Sequence, residues 1–217
     1  MTAALLPNRP ALVRRSRRLN YATLAYNSLE GVLSIGAGLL AGSIALVGFG
    51  TDSLIELAAG AAALWRLSAD LNLARRERVE QQTLRLIGCC FLALAAYVSF
   101  KAIGALIDRT APEQSPLGIG IAAASLLVMP FLARAKRTVA LQLGSGALAA
   151  EARQTLVCTY LSAILLVGLA LNALWGWWWA DPVAGVAMVP LITWEGIEGV
   201  RGRSACGEDC HSGPGVA

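Results

Sequence analysis

Long apolar runs broken by short polar segments dominate this chain. Each run is near the 20 residues that an α-helix needs to cross a bilayer, and none alternates with the two-residue period of a strand. The runs predict six membrane spans, at about residues 19–41, 43–65, 86–107, 116–133, 147–174 and 181–199. The predicted fold class is all-α, a six-helix transmembrane bundle, because helices satisfy their own backbone hydrogen bonds in lipid.

The polar segments divide the chain into three parts. Residues 1–18 form a basic tail, 19–200 the six-span domain, and 201–217 a short tail with cysteine and histidine. Only Ala41-Gly42-Ser43 separates the first two spans, which predicts a tight hairpin. Tryptophans at 175 and 177–179 indicate a belt at the membrane surface, just before the sixth span.

Basic residues predict the orientation of the spans. Most of the 18 lysines and arginines lie in the N-terminal tail, in 66–85, in 134–137 and after the sixth span. The opposite side has Arg109 and little else. Because positive segments stay on the cytoplasmic side, both termini are expected there, with the chain in the cytoplasmic (inner) membrane.

Composition narrows the function. With 56% hydrophobic and 15% charged residues, the chain is too apolar for an ordinary soluble domain. Its net charge of +4 comes from clusters at the ends of apolar runs, so a nucleic-acid partner is not indicated. No phosphate-binding loop or hydrolase triad is present in the sequence, and we expect a transporter rather than an enzyme, with no catalytic cofactor.

Acidic residues within the spans are the candidate chemistry. A carboxylate inside the hydrocarbon costs about 2.5 to 3.5 kcal/mol on insertion scales, so it marks a functional site by default. Asp52 and Glu56 are four residues apart, which places both on one face of the second helix. This pair could bind a cation or, without one, share a proton.

A third acid, Glu30, lies at a similar depth in the first span. Asn27 and Gly31 accompany it at helical spacing and give that helix a polar stripe. Glu30 and Asn27 are therefore accessory candidates for the cation site. The alternative is that Glu30 pairs with an intramembrane base such as Lys101 and holds the bundle together.

Two motifs resemble the cation diffusion facilitator (cation efflux) family. Residues 42–56, ending in Thr-Asp-Ser-Leu-Ile-Glu, are similar to the second helix of that family, where paired acids occur. Residues 177–182, Trp-Trp-Trp-Ala-Asp-Pro, look like the entry to its sixth helix. The resemblance implies a homodimeric six-helix carrier that moves divalent metal, zinc above all, out of the cytoplasm in exchange for protons.

The chain departs from the family pattern on the fifth helix. Where the family has a His and, four residues later, an Asp, this sequence has Gln154 and Cys158. The predicted metal site is thus Asp52, Glu56, Cys158 and Gln154. A thiolate is a soft ligand and an amide a weak neutral one, so the choice among Zn, Cd, Co, Mn and Fe stays open.

The departure allows two other functions. One is a non-transporting membrane protein that binds metal as a sensor or regulatory subunit, with a degenerate transport site. The other is a carrier of protons or monovalent cations, which would keep the acids but not depend on Cys158. Small-residue spacing, as in Gly38 and Gly42, predicts close helix packing either within one chain or between two.

The C-terminal end differs from the family too. Family members usually append a soluble metal-sensing domain, and this chain resembles a short form without it. The tail instead carries Cys206, Cys210 and His211, which are accessory metal-ligand candidates or part of a disordered tail. Glu195 and Glu198, near the end of the sixth span, either guide cations at the cytoplasmic mouth or neutralise Arg201 and Arg203.

Overall fold

The computed structural model describes residues 9–68, 73–143 and 146–201, and every element in these ranges is a helix. The helices are α1 Arg9–Ala41, α2 Ile44–Ser68, α3 Leu73–Asp108, α4 Pro116–Leu143, α5 Gly146–Trp175 and α6 Ala180–Val200. All six are long and apolar enough to cross a membrane. The prediction of an all-α, six-helix multi-pass membrane protein is confirmed.

Most helices are longer than the predicted spans. α1 begins at Arg9, inside the predicted tail, and α4 continues through the basic cluster at 134–137 to Leu143. Much of the charged segment at 66–85 is helical as well. The reason is that a helix need not end where the hydrocarbon ends, because water can solvate arginine side chains while the backbone bonding continues. The tail with Cys206, Cys210 and His211 lies outside the described residues.

The helices pack as a ring in the order α1, α2, α3, α6, α5, α4 and back to α1. Besides its ring neighbours α1 and α3, α2 also contacts α5 and α6. It is therefore more central than a simple ring position would make it. Four helices, α1, α2, α4 and α5, thereby form a closed group in which each contacts two others, and α3 and α6 pack tightly against each other beside it.

The α1–α2 hairpin is as tight as predicted. Gly42 has a φ of +66°, a conformation that favours glycine, and Ser43 caps α2 by accepting the N–H of Leu46 at 3.1 Å. Asp181 at the start of α6 completes this cap. Its carboxylate accepts the Ser43 hydroxyl and, at 3.0 Å, the Ile44 N–H, so it ties α6 to α2.

Glycines bring α1 and α2 together within one chain. A side chain at Gly31 would meet Leu54 and the Gly50 carbonyl at about 3 Å, and one at Gly38 would meet Val47. Gly36 and Gly42 instead have open space around them. The close packing that glycine spacing predicted in α1 and α2 is therefore intramolecular at these contacts, whatever the oligomeric state.

Candidate metal centre

Three buried side chains from two helices meet at the centre of the bundle. One ligand atom each of Asp52, Glu56 and Cys158 lies within 4.8 Å of the other two. Their exposed fractions are 3%, 9% and 0%. The structure thus brings together three of the four residues that the sequence predicted as metal ligands.

Helical periodicity and the ring order explain this cluster. Asp52 and Glu56 are one turn apart, so both carboxylates lie on one face of α2. That face meets α5, where Cys158 lies among fully buried apolar residues such as Leu161 and Leu165. Two carboxylates and one thiol therefore share a site from which water is largely excluded.

Antiparallel packing of α1 on α2 supports the acidic residues. Asn27 donates its amide N–H to Glu56 Oε2 at 3.0 Å, and Ser53 donates its hydroxyl to Glu30 Oε2 at 2.8 Å. Both bonds fit one antiparallel register. Glu30 comes three residues after Asn27 on α1, and its partner Ser53 comes three residues before Glu56 on α2. Asn27 therefore fixes the orientation of a cluster carboxylate, which is an accessory position.

Gln154 and Glu30 are the other candidates for the site. Gln154 is half-buried, one turn before Cys158 on α5, and its part as a fourth ligand stays a prediction. Glu30 is 3% exposed and bonded to Ser53, whereas Lys101 on α3 is exposed. The alternative pairing of Glu30 with Lys101 is wrong, because α1 and α3 are not neighbours in the ring.

A buried lysine was missed. The sequence places Lys136 in the basic cluster that follows the fourth span, but its side chain is only 4% exposed. Its Nζ lies 3.8 Å from Glu151 Oε2 and 3.4 Å from Thr155 Oγ1, and its charge also acts on Glu56. One sequence signal could have found this pair: Glu151 is an acid inside the predicted fifth span.

Glu195 adds negative charge on the side of α6. Its carboxylate is close enough to Asp52 and Glu56 to repel both, whereas Glu198 forms an ion pair with Arg201 at 3.7 Å. The two acids thus differ: Glu198 is neutralised at the helix end, and Glu195 contributes to the field of the cluster. Arg203 lies outside the described residues.

The cluster suits a divalent cation. Zinc bonds to thiolate and carboxylate are about 2.0 to 2.3 Å, which puts ligand atoms around one tetrahedral ion about 3.3 to 3.8 Å apart. Atoms that already lie within 4.8 Å need to move by about 1.5 Å at most. Without a bound cation, the charged carboxylates would repel one another. Each would also be costly to bury in its charged form, because little water is present to solvate it.

The fold and the cluster define the class: a multi-pass helical membrane protein with an acidic, thiol-containing site at the centre of the bundle. Residues 76–200, more than half of the chain, match the model of the cation efflux transmembrane domain. The chain belongs to the cation efflux family. The matched range contains α4 to α6 and most of α3, with Cys158 and Asp181, while Asp52 and Glu56 precede it.

One curated relative is an uncharacterized transporter of Synechocystis sp., 26% identical over 175 residues. The match covers 78% of this chain and 56% of that protein. The chain thus spans about half the length of its relative.

Proposed function

We propose that this protein is a secondary carrier that moves divalent metal cations across the membrane through the cluster of Asp52, Glu56 and Cys158. The observation that carries the proposal is the meeting of these three side chains, buried and within 4.8 Å, at the centre of a six-helix bundle. Buried acids are costly unless they bind something positive, and a divalent cation is the ligand that two carboxylates and a thiolate fit.

The ligand set favours a borderline ion, with zinc first. Zinc accepts both thiolate sulfur and carboxylate oxygen and takes four ligands in tetrahedral geometry. The fourth position would go to the Gln154 carbonyl oxygen or to water. Cd²⁺ and Co²⁺ fit the same donors, whereas Mn²⁺ and Fe²⁺ fit the carboxylates better than the thiolate.

We propose efflux in exchange for protons, which is the direction and coupling that the family resemblance implies. Ligand carboxylates lose metal when they take up protons, so a proton entering from outside would release a metal that was loaded inside. The basic ends of the helices support cytoplasmic termini and a place in the cytoplasmic membrane. We further propose a homodimer, as the family resemblance implies. A reporter protein that works only in the cytoplasm should be active when it is fused to either terminus.

The test is metal flux in proteoliposomes that contain the purified protein. Wild-type vesicles should take up Zn²⁺ in response to a pH gradient, and the double variant Asp52→Ala with Glu56→Ala should not. A matched control replaces two exposed acids, Asp108→Ala with Glu113→Ala, and should transport normally. Full flux in the Asp52 and Glu56 double variant would overturn the proposal.

A regulatory metal-binding protein is the second candidate. The replacement of the expected His and Asp by Gln154 and Cys158 favours it, because an amide weakens the site. Measuring both Zn²⁺ binding and Zn²⁺ flux distinguishes a carrier from a regulatory protein. Equilibrium Zn²⁺ binding that depends on Asp52 and Glu56, with no flux in the same wild-type vesicles, would favour the regulatory protein.

A further inference from the structure

A polar layer lies between the metal cluster and the end of the bundle where α4 ends and α5 begins. Lys136 on α4, Glu151 on α5 and Asn20 on α1 form this layer. Glu151 comes seven residues before Cys158, and Asn20 comes seven residues before Asn27, which holds a cluster carboxylate. Seven residues are two helical turns, so the layer lies on the same helix faces as the cluster, about 10 Å from it.

The layer presents oxygen acceptors to the ammonium group of Lys136. Its Nζ lies 3.8 Å from Glu151 Oε2 and 3.4 Å from Thr155 Oγ1. Thr155 donates its own hydroxyl hydrogen to the Glu151 backbone carbonyl at 2.9 Å, so its oxygen offers lone pairs to the ammonium. Both contacts of the ammonium are longer than the usual range of about 2.7 to 3.2 Å for a hydrogen bond from nitrogen. The ammonium group is therefore held loosely.

Asn20 contributes an acceptor that nothing in the described chain uses. Its side-chain amide N–H donates to the Glu151 carboxylate, whereas its Oδ1 has no hydrogen-bond partner among the residues that the structure describes. The Asn20 side chain is only 4% exposed. Buried amide oxygens are normally bonded. This oxygen, on the same amide that bonds Glu151, therefore points to a ligand from outside the chain.

The layer has both room and access for a small cation. The room is the space that the Lys136 ammonium occupies beside these oxygens, because a dehydrated divalent ion is no larger than an ammonium group. Access is at Glu151, whose side chain is 21% exposed, whereas Cys158 in the cluster is fully buried. An ion that enters from this end of the bundle meets the layer before it meets the cluster.

We propose that Asn20 Oδ1, the Glu151 carboxylate and Thr155 Oγ1 form a second cation site. It consists of oxygen alone, and the Lys136 ammonium fills it as a tethered substitute for a free ion. Hard divalent ions such as Mn²⁺ and Mg²⁺ prefer oxygen ligands, whereas the thiol-containing cluster suits softer ions. One carboxylate with two neutral oxygens makes a weak site. In the proposed carrier, on which this role rests, a weak site suits an ion in passage to the cluster.

The charge of Lys136 distinguishes this site from an ion pair that only stabilises the fold. A metal ion here competes with the ammonium for the Glu151 carboxylate, and like charges about 4 Å apart repel each other strongly away from bulk water. Removal of the ammonium should therefore strengthen metal binding. If the pair served the fold alone, its removal would leave metal binding unchanged.

The experiment measures Mn²⁺ binding to the detergent-purified protein by electron paramagnetic resonance. The background carries Asp52→Asn and Glu56→Gln, which remove the carboxylates of the cluster but keep the side-chain shapes. In this background Lys136→Ala should bind Mn²⁺ more tightly by about tenfold or more, because the competing charge is gone. Adding Glu151→Gln should abolish the gain. Arg137→Ala, at an exposed neighbour, is the matched control and should not change binding.

Two results would overturn the inference. One is a folded Lys136→Ala protein whose Mn²⁺ binding is unchanged or weaker, and the other is tighter binding that survives Glu151→Gln.

Asn20→Asp decides the question if Lys136→Ala does not fold. A second carboxylate at this position should strengthen Mn²⁺ binding by about tenfold with Lys136 still present. Asn172→Asp, at a buried asparagine elsewhere, should not. The absence of a gain in Asn20→Asp would contradict the site. These measurements involve no flux, so a failure of the carrier function is a separate result.

Discussion

Asn27 on α1 donates an amide N–H to Glu56 Oε2 on α2 over 3.0 Å, and this bond links the polar stripe to the metal cluster. Asn27 is 2% exposed, so no bulk water can replace it. Groups that orient metal ligands affect affinity without touching the metal, commonly by 10- to 100-fold. The bond therefore has a measurable consequence for metal binding.

Asn27→Ala should weaken Zn²⁺ binding by about tenfold, because Glu56 loses the donor that holds its carboxylate. Calorimetric titration of the detergent-purified protein measures the affinity. The matched control is Asn172→Ala, which removes a bond from another buried Asn to the Pro112 carbonyl far from the cluster. Equal losses in both variants would contradict a specific effect on Glu56.

Cys158→Ser should change the metal preference. Serine keeps the shape of the side chain but replaces a soft sulfur with a hard oxygen, so Cd²⁺ affinity should fall by about tenfold or more while Mn²⁺ affinity changes little. Competition between the two ions for the purified protein gives the ratio. Cys89→Ser, at an exposed thiol on α3, should leave the ratio unchanged. An unchanged ratio in Cys158→Ser would remove the thiol from the site.

Asp181→Ala should destabilise the fold by about 2 kcal/mol, because Ile44 N–H and the Ser43 hydroxyl lose their acceptor in a buried position. Asp181→Asn should lose less, since one oxygen still accepts. Reversible unfolding in mixed detergent micelles measures the free energy. Asp108→Asn, at an exposed helix end, should be neutral, and a neutral Asp181→Ala would refute the capping role.

Lys136→Met should destabilise the protein by up to about 3 kcal/mol, since it leaves the partly buried Glu151 carboxylate without its ion-pair partner. Adding Glu151→Leu should recover most of the loss, because an apolar pair of similar volume is tolerated there. The same unfolding assay applies, with exposed Arg137→Met as the control. If the double variant is no more stable than Lys136→Met alone, the unpaired Glu151 carboxylate is not the cause of the lost stability.

Much of this architecture is local information. The six helices follow from apolar runs of membrane length, since each helix satisfies its own backbone bonds. The placement of Asp52 and Glu56 on one face follows from the helical period alone. Cys158 was found through a motif resemblance, because nothing in the local sequence of α5 indicates which helix that residue faces.

The sequence by itself determined the number of spans, the paired acids on α2 and the tight turn at Gly42. The tertiary structure alone decided that Lys136 is buried beside Glu151, that Asp181 caps a helix far away in the chain, and that Glu30 bonds to Ser53 rather than to Lys101. The physical reason is the ring order of the helices. Which faces of six similar apolar helices meet depends on side-chain packing over the whole bundle, and no local period records it.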